Sequence, residues 1–288
     1  MKPAPFEYCR PSTVDEAVEA LGSSESSRIL AGGQSLIPAM NFRLTDVSVL
    51  VDIGDVEGLD RVSVDPSGVT VGAAATQTRV LDDVSVAAAV PGLRAALRHV
   101  GHLQIRNRGT VCGSLAHADP AAELPALAVA ADAVIGVAGP DGARRINAED
   151  FFLGPFWTAL DDTEMITEVR FAAPPTGTVT IVDEISRRAG DFAVSGLIAV
   201  VEAAEGTVRS ARLVGFGLGG APTRLPTAEA ALVGWANDHS IDTLTGAVMA
   251  DAADAFDDIH ATSWYRREAM AALTVRAARR ALTGSEAP

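Results

Sequence analysis

The sequence predicts an α+β protein of two domains, and three observations carry that reading. Short apolar runs with strand character alternate with helical periodicities as far as Pro174. The stretch Pro174-Pro175-Thr176-Gly177 then breaks any regular element and marks a domain boundary. Beyond it, three strand-like runs are followed by three helical patterns, the order of a three-stranded sheet backed by helices.

The first helix is predicted over Thr13–Leu21. Thr13-x-x-Glu16 is a capping-box pattern, Val14, Ala17, Val18 and Leu21 share one face, and Gly22 ends it. Arg28–Leu30 reads as a strand, Leu36–Phe42 as a helical turn and Val49–Ile53 as a strand. Val69–Ala73 is a further strand, Thr76 caps a helix, and another helix runs over Gly92–Val100. Glu123–Ala130 is a helix, Ala133–Ala138 a strand, Gly139-Pro140-Asp141-Gly142 a turn and Glu164–Phe171 a strand. In the second half, strands are expected near Val179–Ile185, Gly196–Glu202 and Ser210–Gly217, the last two joined by a turn at Glu205-Gly206. Helices are expected over Thr227–Trp235, Ile241–Phe256 and Tyr265–Leu282, and Gly284–Pro288 reads as a ragged end.

A chain of 288 residues with 48% hydrophobic and 21% charged residues has ample material for a folded core. Its net charge of −14 argues against nucleic acid or an anionic membrane as a partner. It also implies that a bound phosphate is held mainly by backbone dipoles. The two cysteines, Cys9 and Cys112, form neither a disulfide framework nor a metal ligand set. With no signal core and no membrane-length apolar run, a cytoplasmic location is expected.

Two small-residue loops dominate the functional reading. They are Leu30-Ala31-Gly32-Gly33-Gln34-Ser35-Leu36-Ile37-Pro38 and Thr110-Val111-Cys112-Gly113-Ser114-Leu115-Ala116-His117-Ala118-Asp119-Pro120. Each offers adjacent backbone N–H groups with little side-chain bulk, which suits the oxygens of an anion. Two such loops, with Asp119 and Glu123 available for sugar hydroxyls, point to a pyrophosphate-bridged dinucleotide.

Other motifs weigh less. Gly215-Phe-Gly217-Leu-Gly-Gly220 fits a dinucleotide fingerprint, but Pro222 and Pro226 oppose the helix that such a site needs, so a glycine-rich strand end is expected. Cys112-Gly113-Ser114 with His117, or Ser114 with His117 and Asp119, sketches a hydrolase that uses Cys112 or Ser114. Triads normally draw on separate elements, and nothing nearby lowers the thiol pKa. His99 and His102 lack a third metal ligand, and His239 and His260 carry no signal. Arg187-Arg188, with Asp191 behind, reads equally as a solvated strand end or as an orienting contact near a ligand.

At the two loops the chain resembles the FAD-binding medium subunits of molybdenum hydroxylases, the family of the carbon monoxide dehydrogenase flavoprotein and the xanthine dehydrogenase flavin domain. The likeness runs through Ala31–Met40, Arg106–Pro125, Glu164–Val169, Ser186–Ala193 and Gly217–Arg224. It implies a two-lobed FAD-binding domain over residues 1–175, with lobes of about 1–55 and 56–175. An α+β domain with a three-stranded antiparallel sheet would follow over residues 178–284. It further implies a heterotrimer, compatible with a dimer of heterotrimers. A small subunit would carry two [2Fe–2S] clusters and a large subunit the molybdenum pterin. Electrons would pass from the clusters through FAD to an external acceptor. The alternatives to this oxidoreductase subunit are a stand-alone flavin-dependent oxidoreductase and the hydrolase above.

Carried over by position, Leu30, Ala31, Gly32, Gly33, Gln34, Ser35, Leu36 and Ile37 would wrap the pyrophosphate and flank the flavin. Thr110, Gly113 and Ser114 would meet phosphate and ribityl oxygens. Asp119 and Glu123 would accept sugar hydroxyls, and Ile166 would lie near the isoalloxazine. Two departures stand out. Cys112 replaces a glycine common in relatives, and Glu184 lies where many relatives place a lysine near the ring, which implies a lower flavin potential if its side chain points inward. The segment Val182–Ala193 resembles relatives that act on N-heterocycles such as nicotine and caffeine.

Overall fold

The computed structural model describes residues 2–236 and 240–283. His239, the expected end of the second domain at Gly284 and the ragged end Gly284–Pro288 lie outside the described residues.

The chain starts with a small parallel sheet in which Val49–Asp52 lies between Glu7–Cys9 and Ser27–Leu30. Parallel neighbours need crossovers, and the helices Val14–Leu21 and Leu36–Asn41 lie in those connections. The capping box is present but spread over one more residue than its pattern suggests. Thr13 Oγ1 accepts the Glu16 N–H at 3.2 Å, whereas the Glu16 carboxylate returns to the N–H of Ser12 at 2.7 Å.

A five-stranded antiparallel sheet follows, in the order Val62–Asp65, Gly68–Gly72, Met165–Ala172, Val134–Gly139 and Gly142–Asn147. Its two edge strands were not apparent in the hydropathy pattern. Val62–Asp65 and Gly142–Asn147 are largely exposed, and the latter carries Arg144 and Arg145, charges that suit an unpaired edge. The helices Gln77–Asp82, Val84–Ala89, Pro91–His99, Leu103–Arg106, Val111–His117 and Glu123–Ala130 fill the sequence between Gly68–Gly72 and Val134–Gly139. Every residue of Glu123–Ala130 is buried, as its apolar circumference requires of a central helix.

In the last third, Thr178–Ser186, Ala193–Ala204 and Thr207–Phe216 form the three expected antiparallel strands, and Thr223–Arg224 adds a two-residue fourth. Strand alternation divides their side chains between two cores. Val182, Ile198, Val214 and Phe216 join the core built around Leu93, Leu127 and Ile135. Ile181, Leu197, Ala199, Val201 and Leu213 pack with the helices Pro226–Leu232, Ile241–Asp251 and Ser263–Thr283. The main core therefore runs unbroken past the Pro174–Gly177 break.

Arg266 fastens this arrangement. It is 2% exposed. It pairs with Asp258 at 2.7 Å, lies over the Phe256 ring at 4.4 Å, and donates to the carbonyls of Val194 at 2.5 Å and Gly217 at 2.7 Å. Gly217 in turn donates its N–H to the carbonyl of Pro120 at 2.8 Å, which ties the end of the sheet to the second small-residue segment.

Candidate cofactor cleft

The first small-residue loop leaves the parallel sheet at Leu30 and enters the short helix Leu36–Asn41. Gly33 has φ +71°, a left-handed conformation open to glycine at little steric cost. Gly32 has the opposite role of leaving space. A Cβ there would fall 2.2 Å from the carbonyl oxygen of Arg108 and 2.6 Å from Cα of Gly109. The missing side chain lets this loop lie directly against the start of the second segment. A Cβ at Gly113 would likewise lie 3.7 Å from that of Ala31. Segments about 80 positions apart thus become one cradle.

Among the described residues, the N–H groups of Gly32, Gly33, Gln34 and Ser35 donate to no carbonyl or side chain. The Gln34 side chain steadies the turn by donating to the Gly32 carbonyl at 3.2 Å. The Ser35 hydroxyl does not cap the helix it precedes. These are the free donors an anion needs, in a chain too acidic to hold one with a lysine cluster.

The second segment is more ordered than the expected loop. Thr110 caps a helix over Val111–His117, which ends at Ala118 in a left-handed conformation. Thr110 Oγ1 accepts the Gly113 N–H at 2.9 Å. The Gly113 N–H is therefore used inside the protein, while the Thr110 hydroxyl keeps its own O–H to donate toward the cleft it lines. Cys112 occupies its glycine-like position by turning inward, where its thiol faces the Val71 carbonyl at 3.6 Å. Burial pushes the thiol pKa far up, with the Glu168 charge adding to it. A thiol held protonated and buried is not a nucleophile. Ser114 has no hydrogen bond to His117, whose ring stacks on Phe156 at 5.1 Å, and Asp119 accepts the Ala121 N–H at 2.9 Å. The hydrolase alternative therefore has no assembled machinery.

These segments line a cleft of about 1020 Å³, at the upper end of the roughly 300–1,000 Å³ typical of ligand sites. Of the residues singled out from sequence, Ala31, Gly32, Gly33, Gln34, Ser35, Leu36, Thr110, Gly113, Ser114, Asp119, Glu123 and Ile166 line it. Leu30 and Ile37 do not. They pack under the loop with Met40, Val47 and Leu50, a small separate core. Glu184 is also absent from the wall, against the expectation of an acid at the ring. Its carboxylate lies 3.5 Å from Nδ1 of His99.

Sequence reasoning missed Gln77, Phe156, Trp157 and Phe192, all on the cleft wall. Gln77 is buried, donates through Nε2 to the Thr110 carbonyl at 3.4 Å, and leaves Oε1 without a partner. Its position directly after a capping threonine was the one available signal. The three aromatics lie in loops or a two-residue strand and have no periodicity to reveal them. Arg187 lies 3.3 Å from Nδ1 of His260, while Gly190, Asp191 and Phe192 of the same turn reach the cleft. Gly215 packs against Leu218 and Met270 at a strand end, as expected of a structural glycine. His99 ends one helix and His102 precedes another, and no cluster of potential metal ligands occurs among the described residues.

Glu123 stands at the first position of the central helix and is 6% exposed. Burial raises its pKa to about 8, and the Glu184 carboxylate pushes in the same direction. Burial lowers the pKa of His117, which also lines the cleft. The cleft thus combines free main-chain donors on the glycine loop with apolar wall from Ile53, Val100, Ile105, Leu160, Met165 and Ile166.

Comparison with known proteins agrees with this geometry. Residues 4–174 match the FAD binding domain in molybdopterin dehydrogenase, and residues 181–281 match the CO dehydrogenase flavoprotein C-terminal domain. The nicotine 6-hydroxylase medium subunit of Paenarthrobacter nicotinovorans is 35% identical, covering 92% of this chain and 93% of the relative. Quinoline 2-oxidoreductase from Pseudomonas putida 86 superposes with a TM-score of 0.92 at 34% identity, covering 99% of both chains. Carbon monoxide dehydrogenase from Hydrogenophaga pseudoflava gives a TM-score of 0.93 at 32% identity, covering 98% of this chain and 99% of that one. With the cradle, the cleft and both halves of the chain accounted for, this protein belongs to the FAD-binding medium subunits of the molybdenum hydroxylases.

Proposed function

We propose that this chain is the electron-exit subunit of a heterotrimer. An iron–sulfur small subunit would deliver electrons to it, a molybdopterin large subunit would hold the substrate, and an external acceptor would collect the electrons. The observation that carries the proposal is the contact of Gly32 with Arg108 and Gly109, which merges two donor-bearing segments into one cradle. FAD bound there supplies the redox chemistry. The chain's own part is to bind and position it. The N–H groups of Gly32 to Ser35 would hold the pyrophosphate, Asp119 and Glu123 would meet hydroxyls, and Ile166 and Leu36 would give apolar contact to the ring. The names of the relatives support assembly with other subunits.

The similarity to a nicotine hydroxylase subunit and to quinoline 2-oxidoreductase favours a complex that acts on an N-heterocycle. A cytoplasmic location accords with two free cysteines and with the absence, among the described residues, of any helix long and apolar enough to cross a membrane. The domain division we favour is residues 1–175 and 178–284, with the first part in two lobes.

The test is reconstitution. The purified chain should take up FAD with its visible absorbance but turn over no N-heterocycle alone, and should gain activity only with both partner subunits. Turnover by the isolated chain would favour the stand-alone flavin oxidoreductase. A chain that stays colourless with excess FAD would remove the cofactor reading.

A further inference from the structure

A hairpin on the cleft wall holds one residue in a conformation that its type disfavours. Phe152–Gly154 pairs with Trp157–Thr158, which leaves Pro155-Phe156 as the connecting loop. Phe156 has φ +56°. Where proline leads a turn and a left-handed residue follows, glycine or asparagine normally fills the second place. A bulky side chain there is a genuine outlier. Phe156 is also 60% exposed, so burial of its ring does not offset that cost.

Tertiary contacts enforce this conformation from two sides. The Phe156 N–H donates to the carbonyl of Ala118 at 3.0 Å. Ala118 ends the helix Val111–His117 and itself has φ +49°. On the other side Pro155 rests on Gly220, where a Cβ would fall 2.8 Å from Cδ of the proline. Two non-glycine residues in the left-handed region thus meet through one hydrogen bond. Strain of this kind persists only where the surroundings over-determine it, and it concentrates at active sites and ligand clamps. Its result here is the placement of a ring. The Phe156 ring lies 5.1 Å from that of His117, with the planes tilted by 46°. Both residues line the cleft, as do nearby Asp119 and Trp157. Burial holds the His117 imidazole below its ordinary pKa, against the pull of Asp119, so at neutral pH the pair presents uncharged aromatic surface.

We propose that Phe156, braced by His117, is a stacking plate for a planar ring of the bound dinucleotide. The proposal rests on the FAD reading above and adds to it the residue that orients a ring. Isoalloxazine and adenine share the chemistry required, a flat heteroaromatic face. Aromatic side chains stack on such faces without reading their edges. The plate lies at the opposite end of the helix Val111–His117 from Thr110, whose neighbour Gly109 touches Gly32. The seven residues of that helix, at about 1.5 Å each, set the plate roughly 10 Å from the cradle. That spacing leaves room for the sugar or polyol that links a ring to its phosphate.

The test uses the full FAD-free chain and two readouts: FAD affinity from quenching of flavin fluorescence, and Tm from thermal melts. Phe156→Gly removes the ring and suits the left-handed backbone. It should melt no lower than the parent yet bind FAD roughly 5- to 150-fold more weakly, the range that loss of one base–aromatic stack gives. Phe156→Tyr keeps the ring and should bind as the parent does. Phe156→Leu keeps the bulk but lacks the aromatic face; it should lose affinity likewise, and it carries the test should the glycine variant not fold. Titrations with ADP and FMN then tell which ring is held. A loss confined to ADP assigns the plate to adenine, and one confined to FMN assigns it to the isoalloxazine. Undiminished FAD affinity in Phe156→Gly and Phe156→Leu overturns the proposal. So does a lowered Tm in Phe156→Gly with an equal loss of affinity in Phe156→Tyr, the mark of a packing residue. A parent chain that binds no FAD refutes the cofactor reading itself, and is recognised before any variant is made.

Discussion

Gly32→Ala is the sharpest single perturbation of the cradle. The added methyl would lie 2.2 Å from the Arg108 carbonyl oxygen, where ordinary van der Waals contact begins at 3.4 Å. The obstacle is backbone on both sides, so no rotamer relieves it. The two segments must part by about 1 Å. Overpacking of this kind costs about 1–3 kcal/mol, and N–H···O bonds made from both segments to one ligand would be stretched beyond their useful range of roughly 2.7–3.2 Å. Charging only the overpacking cost to the bound form weakens FAD binding by roughly 5- to 150-fold. Titration of the FAD-free chain with FAD, read by quenching of flavin fluorescence, measures this directly. Gly246→Ala is the control. It lies in the helix Ile241–Asp251 with open space around it, and should leave FAD affinity unchanged while stabilising the chain by about 0.5–1 kcal/mol. If Gly32→Ala binds FAD as tightly as the parent chain, the two segments do not hold the ligand jointly and the reasoning fails.

Other expected outcomes follow from packing and titration. Arg266→Met leaves the carbonyls of Val194 and Gly217 without their donor in a buried setting and removes the exposed Asp258's partner, so denaturant melts should show a loss of about 1–3 kcal/mol; Arg266→Lys should not restore it, because a single ammonium lacks the guanidinium fork. A thiol reagent at pH 8 should modify Cys9 and spare buried Cys112 in the native chain, and modify both in urea; rapid native labelling of Cys112 would contradict its placement. The pKa of Glu123 is raised by folding, so its stability contribution is complete below the unfolded value of about 4.5 and declines until pH passes about 8. Glu123→Gln should therefore be more stable than the parent by roughly 4–5 kcal/mol above pH 8, with the difference vanishing near pH 4, as read by urea melts across pH. Saturation with FAD at about 100 times its Kd should add roughly 2.7 kcal/mol, visible as a rise in Tm.

The sequence disclosed those parts of the molecule whose physics is local. Thr13, Thr76 and Thr110 each cap a helix, and the apolar periods of Val14–Leu21 and the long C-terminal strands follow from nearest neighbours. The loops of the cradle were legible because small residues occur in runs. That the Leu30 and Ile37 side chains lie off the cleft wall was not legible, because a motif does not tell which of its side chains turns inward, and the core of Met40, Val47 and Leu50 that receives them is assembled from later residues. The helix-capping use of the Thr110 hydroxyl is local and was legible at once, since it accepts an N–H three residues on. Glu184 and His99 are 85 positions apart, and only the packing of a strand from the second half against a helix from the first brings them together. Trp157 and Phe192 belong to the same category of long-range placement.

The two sides of the cradle differ in what supports them. Behind Thr110–His117 stand Val111, Cys112 and Leu115 of the main core, whereas the glycine loop rests largely on the trio of Met40, Val47 and Leu50. Local opening is cheapest where the least apolar surface must be exposed. The glycine side is thus the jaw that yields and the helical side the anvil that stays. Cofactor exchange should be paced by the breathing of the glycine loop, and trimming Met40 to alanine should quicken FAD release although Met40 is not on the cleft wall.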